Sequence, residues 1–81
     1  MEIDYDEIYI MVIINTGRTV QLKINRNDTI KKIQKLIEMK IGSSFKCYSL
    51  ELEHKKSLKD CHRASFYNIQ NGERLYVNQK N

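Results

Sequence analysis

Val20-Gln-Leu-Lys-Ile-Asn-Arg-Asn-Asp-Thr-Ile-Lys-Lys-Ile-Gln-Lys-Leu-Ile-Glu-Met-Lys-Ile-Gly42 changes period in its middle, and that change decides the fold. Val20, Leu22 and Ile24 alternate with Gln21, Lys23 and Asn25, the pattern of a strand with one buried face. Ile30, Ile33, Ile37 and Ile41 then recur three and four apart, the pattern of a helix with one apolar stripe. The spacing predicts a strand over Thr19 to Asn25, a turn over Arg26 to Asp28 and a helix that buries its stripe on the nearest apolar face. Thr29 or Asp28 caps the helix start, and Gly42 suits the left-handed residue just past its end. Lys31 and Lys32 oppose this order, because the first turn of a helix prefers negative charge and each lysine there costs roughly 0.3 kcal/mol or more. Either a solvated face tolerates that cost, or Lys31, Lys32 and Lys35 form a basic ridge for an acidic partner.

Outward from this stretch, Ile8 to Ile14 is apolar throughout and rich in β-branched residues, so it reads as a strand covered on both faces or one whose second face meets a partner. Asn15-Thr-Gly-Arg18 breaks the two strand patterns as a hairpin turn would. After a loop at Gly42 to Ser44, Phe45 to Leu52 alternates, with Tyr48, Leu50 and Leu52 on one face and Cys47, Ser49 and Glu51 on the other. His54 to Leu58 suits a short edge strand guarded by lysines. Lys59 to Ser65 reads as a polar loop, Phe66 to Ile69 as a return of apolar groups toward the core, Asn71-Gly72 as a turn and Arg74 to Asn78 as a last strand. The expected class is α+β, with one helix packed on a mixed sheet.

Length and charge set the remaining bounds. Eighty-one residues make one domain with a small core. The expected organisation is a flexible acidic arm over 1–7, a domain over 8–78 and a short tail over 79–81. The arm holds Glu2, Asp4, Asp6 and Glu7, which leaves 14 basic against six acidic side chains in the rest of the chain. A body this basic attracts RNA, anionic lipid or an acidic protein, unless the arm screens it, but no interleaved aromatic stacking motif accompanies the charge. No apolar run approaches the ~20 residues of a membrane span. Two cysteines and no leader pattern point to a reduced setting in cytoplasm or nucleus.

Catalytic and metal chemistry find little footing. Cys61-His62, with His54 nearby, lacks a third orienting group and a flanking signature, so it reads as a loop cysteine beside surface histidines. Two Cys fourteen residues apart and two His do not make a zinc spacing. Three scattered glycines form no phosphate cradle. The expectation is a non-enzymatic monomer without catalytic residues, metal or cofactor.

The order of these motifs resembles the ubiquitin family. The hairpin with its Thr-Gly turn, Asn27-Asp-Thr-Ile30 leading into a helix with Ile33 and Ile37, and Tyr67-Asn-Ile-Gln70 followed by Leu75-Tyr-Val77 all stand in the family's order at near-constant spacing. The resemblance runs from about Ile8 to Val77. It implies a ubiquitin-like β-grasp, a mixed four- to five-stranded sheet with one helix packed across it, in which strand one lies between strand two and the last strand. It implies a core of Ile10, Val12, Val20, Leu22, Ile24, Ile30, Ile33, Ile37, Leu50, Leu58, Ala64, Ile69, Leu75 and Val77. It also implies a loop near Lys59 closed by the Tyr67 hydroxyl.

Its implications for function turn on where the chain departs from the family. The family's conjugation tail ends in two glycines, whereas this sequence ends Val77-Asn-Gln-Lys-Asn81. The family's apolar recognition patch maps here onto polar Asn15, Glu51 and Asn78. A different patch is expected on the open face of the sheet, from Tyr9, Met11, Ile13 and Tyr76, with the acidic arm or Lys46 as possible covers. The candidate protein-binding residues are therefore Met11, Ile13, Asn15, Ser49, Glu51, Tyr76 and Asn78, with Lys31, Lys32 and Lys35 as the alternative ridge. The implied role is a non-covalent protein-binding module within a longer protein, engaging ubiquitin-pathway or proteasome receptors or another assembly such as a splicing complex. The alternatives are a modifier whose Gly-Gly lies beyond Asn81 and a basic nucleic-acid-binding β-grasp domain.

Overall fold

The computed structural model describes residues 6–42, 48–53 and 57–79. The expectations placed on Met1 to Tyr5, Lys46, Cys47, His54 and the tail beyond Gln79 fall outside them. The element order is β1 (Glu7–Ile14), β2 (Thr19–Asn25), α1 (Ile30–Ile41), β3 (Tyr48–Leu52), a one-turn 3₁₀ helix at Ala64–Tyr67, and β4 (Arg74–Gln79). Strand β1 takes in Glu7, which sits opposite Asn25. The sheet order is β2-β1-β4-β3, with β1 parallel to β4 and the other pairs antiparallel.

Ile10 pairs with Leu22 and Val12 with both Val20 and Leu75, which sets the inward residues of three strands in rows. Ile30, Ile33 and Ile37 of α1 are fully enclosed against them, and among the described residues no polar or charged side chain is buried. Ile8 and Ile14 join this core, while Val20 is only half-buried and packs against its margin. The cause is strand position: β1 has a neighbour on each side, whereas β2 is the outer strand. Strand β1 alternates buried and exposed along its length, so its apolar run is covered on one face rather than two.

The helix start accounts for every first-turn donor. Thr29 Oγ1 accepts from Lys32 N at 3.2 Å and its carbonyl from Ile33 N at 3.1 Å. Ile30 N donates to the His62 carbonyl and Lys31 N to the Asp60 carbonyl. At the far end Gly42, at φ +72°, donates to the Glu38 carbonyl. A left-handed residue there is easy without a Cβ.

Two sequence expectations change. His54 to Leu58 does not extend the sheet among the described residues; Ser57 makes a single bridge to Glu51, and Leu58 N donates to the Leu50 carbonyl. Phe66 does not return to the core: it is 63% exposed, because the 3₁₀ turn buries Ala64 and aims Phe66 outward onto His62. No helix among the described residues is long and apolar enough to cross a membrane.

Candidate functional site

Burial of Ile8, Ile10, Val12 and Ile14 turns Tyr9, Met11 and Ile13 to the face of the sheet away from the helix, because successive side chains of a strand point to opposite faces. The register then builds rows across that face. Thr19, Ile13, Tyr76 and Glu51 lie side by side over four strands, and Gln21, Met11 and Arg74 form the next row. Met11, Ile13 and Tyr76 are half-buried and Tyr9 is 48% exposed.

The polar candidates gather beside them. Glu51 Oε2 accepts from Ser49 Oγ at 3.1 Å and from Asn78 Nδ2 at 2.9 Å. Ser49 and Asn78 are also cross-strand partners. Glu51 is thereby held as an acceptor facing outward next to Tyr76, and the face presents an apolar centre with a hydrogen-bonded polar margin. Asn15 stands apart: it is exposed in the hairpin turn and lines a small cleft with Thr16, Ile41 and Tyr48.

The alternative ridge is less uniform than its sequence. Lys31, Lys32 and Lys35 are all exposed and border one shallow depression with Thr29. Lys32 Nζ, however, lies 3.2 Å from Asp28 Oδ1, and the other oxygen of that carboxylate accepts from Asn25 N at 3.0 Å. Asp28 thus places a negative charge just before the helix, which offsets the lysines of its first turn. Cys61 is an exposed free thiol, and His62 stacks on Phe66 with ring centroids 3.8 Å apart. Among the described residues no three His, Cys, Asp or Glu side chains gather as metal ligands would.

The sequence reading missed three arrangements. Residues 60–65 are stitched to the turn before α1, with Ala64 N donating to the Asp28 carbonyl, Ser65 N to the Arg26 carbonyl and Arg63 Nη1 to the Asn27 carbonyl. Asn71 and Gly72 extend the edge of β1, with Tyr9 N donating to Asn71 Oδ1 and Gly72 N to the Tyr9 carbonyl. A groove of about 580 Å³ runs along the outside of β2, between Gln21, Leu22 and Lys23 and the helix residues Leu36, Met39 and Lys40. Met39, which is 81% exposed, stands off the isoleucine stripe of the helix, and that position was the hint the sequence carried.

No protein-family model and no curated protein matches the chain. Solved structures do match. One is a de novo design based on ubiquitin, similar at a TM-score of 0.86 and 17% identity over 94% of this chain and 92% of that one. With the sheet order and the single helix across it, the chain has the ubiquitin-like β-grasp fold.

Proposed function

We propose that this domain is a non-covalent protein-binding module that docks partners on the open face of its sheet, by contact rather than catalysis. One observation carries the reading: Ile13 and Tyr76 sit in register on adjacent central strands, on the face away from the helix, with Met11 one row on. An apolar centre edged by oriented polar groups is the composition of a recognition surface. Glu51, fixed by Ser49 and Asn78, supplies the edge with a charge whose position is set before any partner arrives. The polar residues at Glu51 and Asn78 disfavour receptors that read an apolar patch there, so the partners are ones that centre on Ile13 and Tyr76. Ubiquitin–proteasome traffic, or another assembly that docks such folds, is the proposed setting.

Ile13→Asp and Tyr76→Ala test this directly. Both side chains are half-exposed, so both variants should unfold cooperatively as the parent does. Truncating a central anchor costs about 2 kcal/mol or more of binding, which is over tenfold in affinity. Partners captured by the parent and identified by mass spectrometry should be lost from both variants. An unchanged set of captured partners in both would end the reading.

A further inference from the structure

The segment that closes the helix start also holds out a ring. His62 and Phe66 stack with centroids 3.8 Å apart and planes 5° from parallel. Tyr67 stands nearly perpendicular to both, 5.0 Å from Phe66 and 5.8 Å from His62. These spacings put Tyr67 beside the stack and not on its end. Were it over the outer face of Phe66, its distance from His62 would approach the sum of the other two spacings. His62 therefore backs the inner face of Phe66, and the outer face is left to solvent, in keeping with the 63% exposure of the residue. A ring backed by a second and flanked by a third is fixed in orientation, so its open face is a stacking platform set before any ligand arrives.

Cations adjoin this platform. Arg63 borders the same depression of about 380 Å³ as Phe66, and its Nη1 is anchored on the Asn27 carbonyl at 3.1 Å. The lysine ridge begins where that depression ends: Thr29, on the rim of the ridge, bridges to Arg63, Ile30 N donates to the His62 carbonyl and Lys31 N to the Asp60 carbonyl. Lys31 and Lys35 lie one turn apart on α1, exposed, and neither pairs with a carboxylate among the described residues. The nearby acids are engaged, Asp28 with Lys32 and Asp60 Oδ1 with Gln34 Nε2 at 3.1 Å. Lys31, Lys32, Lys35 and Arg63 outnumber Asp28 and Asp60, so the surface is net positive. The ring and the lysines are distant in sequence and adjacent in space; the stacking element missing from the basic sequence is supplied by the fold.

We propose that this surface binds single-stranded nucleic acid, with one base stacked on the outer face of Phe66 and the adjoining phosphates against Arg63, Lys31 and Lys35. Every base has a π-face, so such a contact tolerates any sequence, and the cations take up the backbone. The charge alone suits an acidic peptide as well; the preformed ring face is what favours a base. The surface lies at the start of α1, apart from the open face of the sheet, and does not depend on partner docking there. One stacked base and two or three phosphate contacts give weak binding, with a Kd of about 0.1 mM at low salt.

Fluorescence anisotropy of labelled adenosine oligomers of about ten nucleotides, in ribose and deoxyribose forms, titrated with the full chain, reads this out. Binding of either form supports the proposal, and the tighter form names the sugar. An abasic deoxyribose oligomer of the same length should bind at least about fivefold more weakly than the deoxyadenosine one. Phe66→Leu, at a largely exposed position, should still unfold cooperatively and should lower binding of the deoxyadenosine oligomer to the abasic level, whereas Phe66→Tyr should match the parent. Lys31→Gln and Lys35→Gln should each flatten the slope of log K against log salt by about 0.7. Arg74→Gln, which removes a like charge from the open face, should leave slope and affinity unchanged. No binding at about 1 mM chain in low salt overturns the proposal. So does an abasic oligomer bound as tightly as the deoxyadenosine one, an unchanged Kd in Phe66→Leu, or a loss in Arg74→Gln as large as in Lys31→Gln. A glutamate peptide of about ten residues that binds as tightly as the oligomers also overturns it, since the ridge would then be a site for acidic protein.

Discussion

Thr29 and Tyr67 each spend one oxygen on a backbone N–H that would otherwise lack a partner. Thr29 Oγ1 caps the helix through Lys32 N. Thr29→Ala removes that acceptor, and an N-cap lost in this way costs about 1 kcal/mol. Chemical denaturation should show the loss as a lower midpoint with unchanged slope. The Tyr67 hydroxyl accepts from Lys59 N at 2.8 Å, a bond that only the family resemblance implied. Tyr67→Phe keeps the ring edge against His62 and Phe66 and removes the hydroxyl that accepts from Lys59 N. About 1 kcal/mol should go, with a Tm lower by about 4–8 °C. The Lys59 amide should also exchange faster with solvent, and an unaltered rate there would remove Tyr67 from the role. Asp28 shows the limit of reading residues singly. It was one of two candidate caps; the structure gives the cap to Thr29 and uses Asp28 to hold Asn25 and Lys32.

At the scale of elements, the helix was legible because a stripe of isoleucines has one period and needs one cover. Ile30, Ile33 and Ile37 are all completely enclosed. Ile33→Ala should cost about 2–5 kcal/mol, since the removed atoms leave a cavity that the strands cannot collapse into. For a domain this small, that approaches the whole stability of about 5–10 kcal/mol, and thermal unfolding followed by circular dichroism should show it. A loss under about 1 kcal/mol would mean that α1 is not the cover of the sheet. Strand β1 was legible in extent but not in environment. An apolar run fits a strand buried on both faces as well as one with a free apolar face. The burial alternation decides for the latter, and that decision creates the candidate site. The 3₁₀ turn at Ala64–Tyr67 went unread, because one turn is too short to show a period.

Across the whole molecule, one sheet shares one core, and its centre and edges differ in stability. Strand β1 lies between β2 and β4, so freeing its amides requires breaking the core. The amides of Ile10 and Val12 should exchange only through global unfolding, while Ser49 and Glu51 in the outer strand β3 should exchange faster by local opening. Native-state hydrogen exchange measures both, and equal rates would contradict the sheet order. The sequence by itself determined the hairpin, the helix and the last strand, most of the inward residues and the polar character of Glu51 and Asn78, because periodicity and polarity are local properties carried by each side chain. Only the tertiary structure decided that Ser49, Glu51 and Asn78 share hydrogen bonds, that residues 60–65 close the helix start, and that β2 is left with an open groove. Those depend on which distant segments meet, and the crossing of a parallel β1–β4 pair sets that in space rather than in spacing.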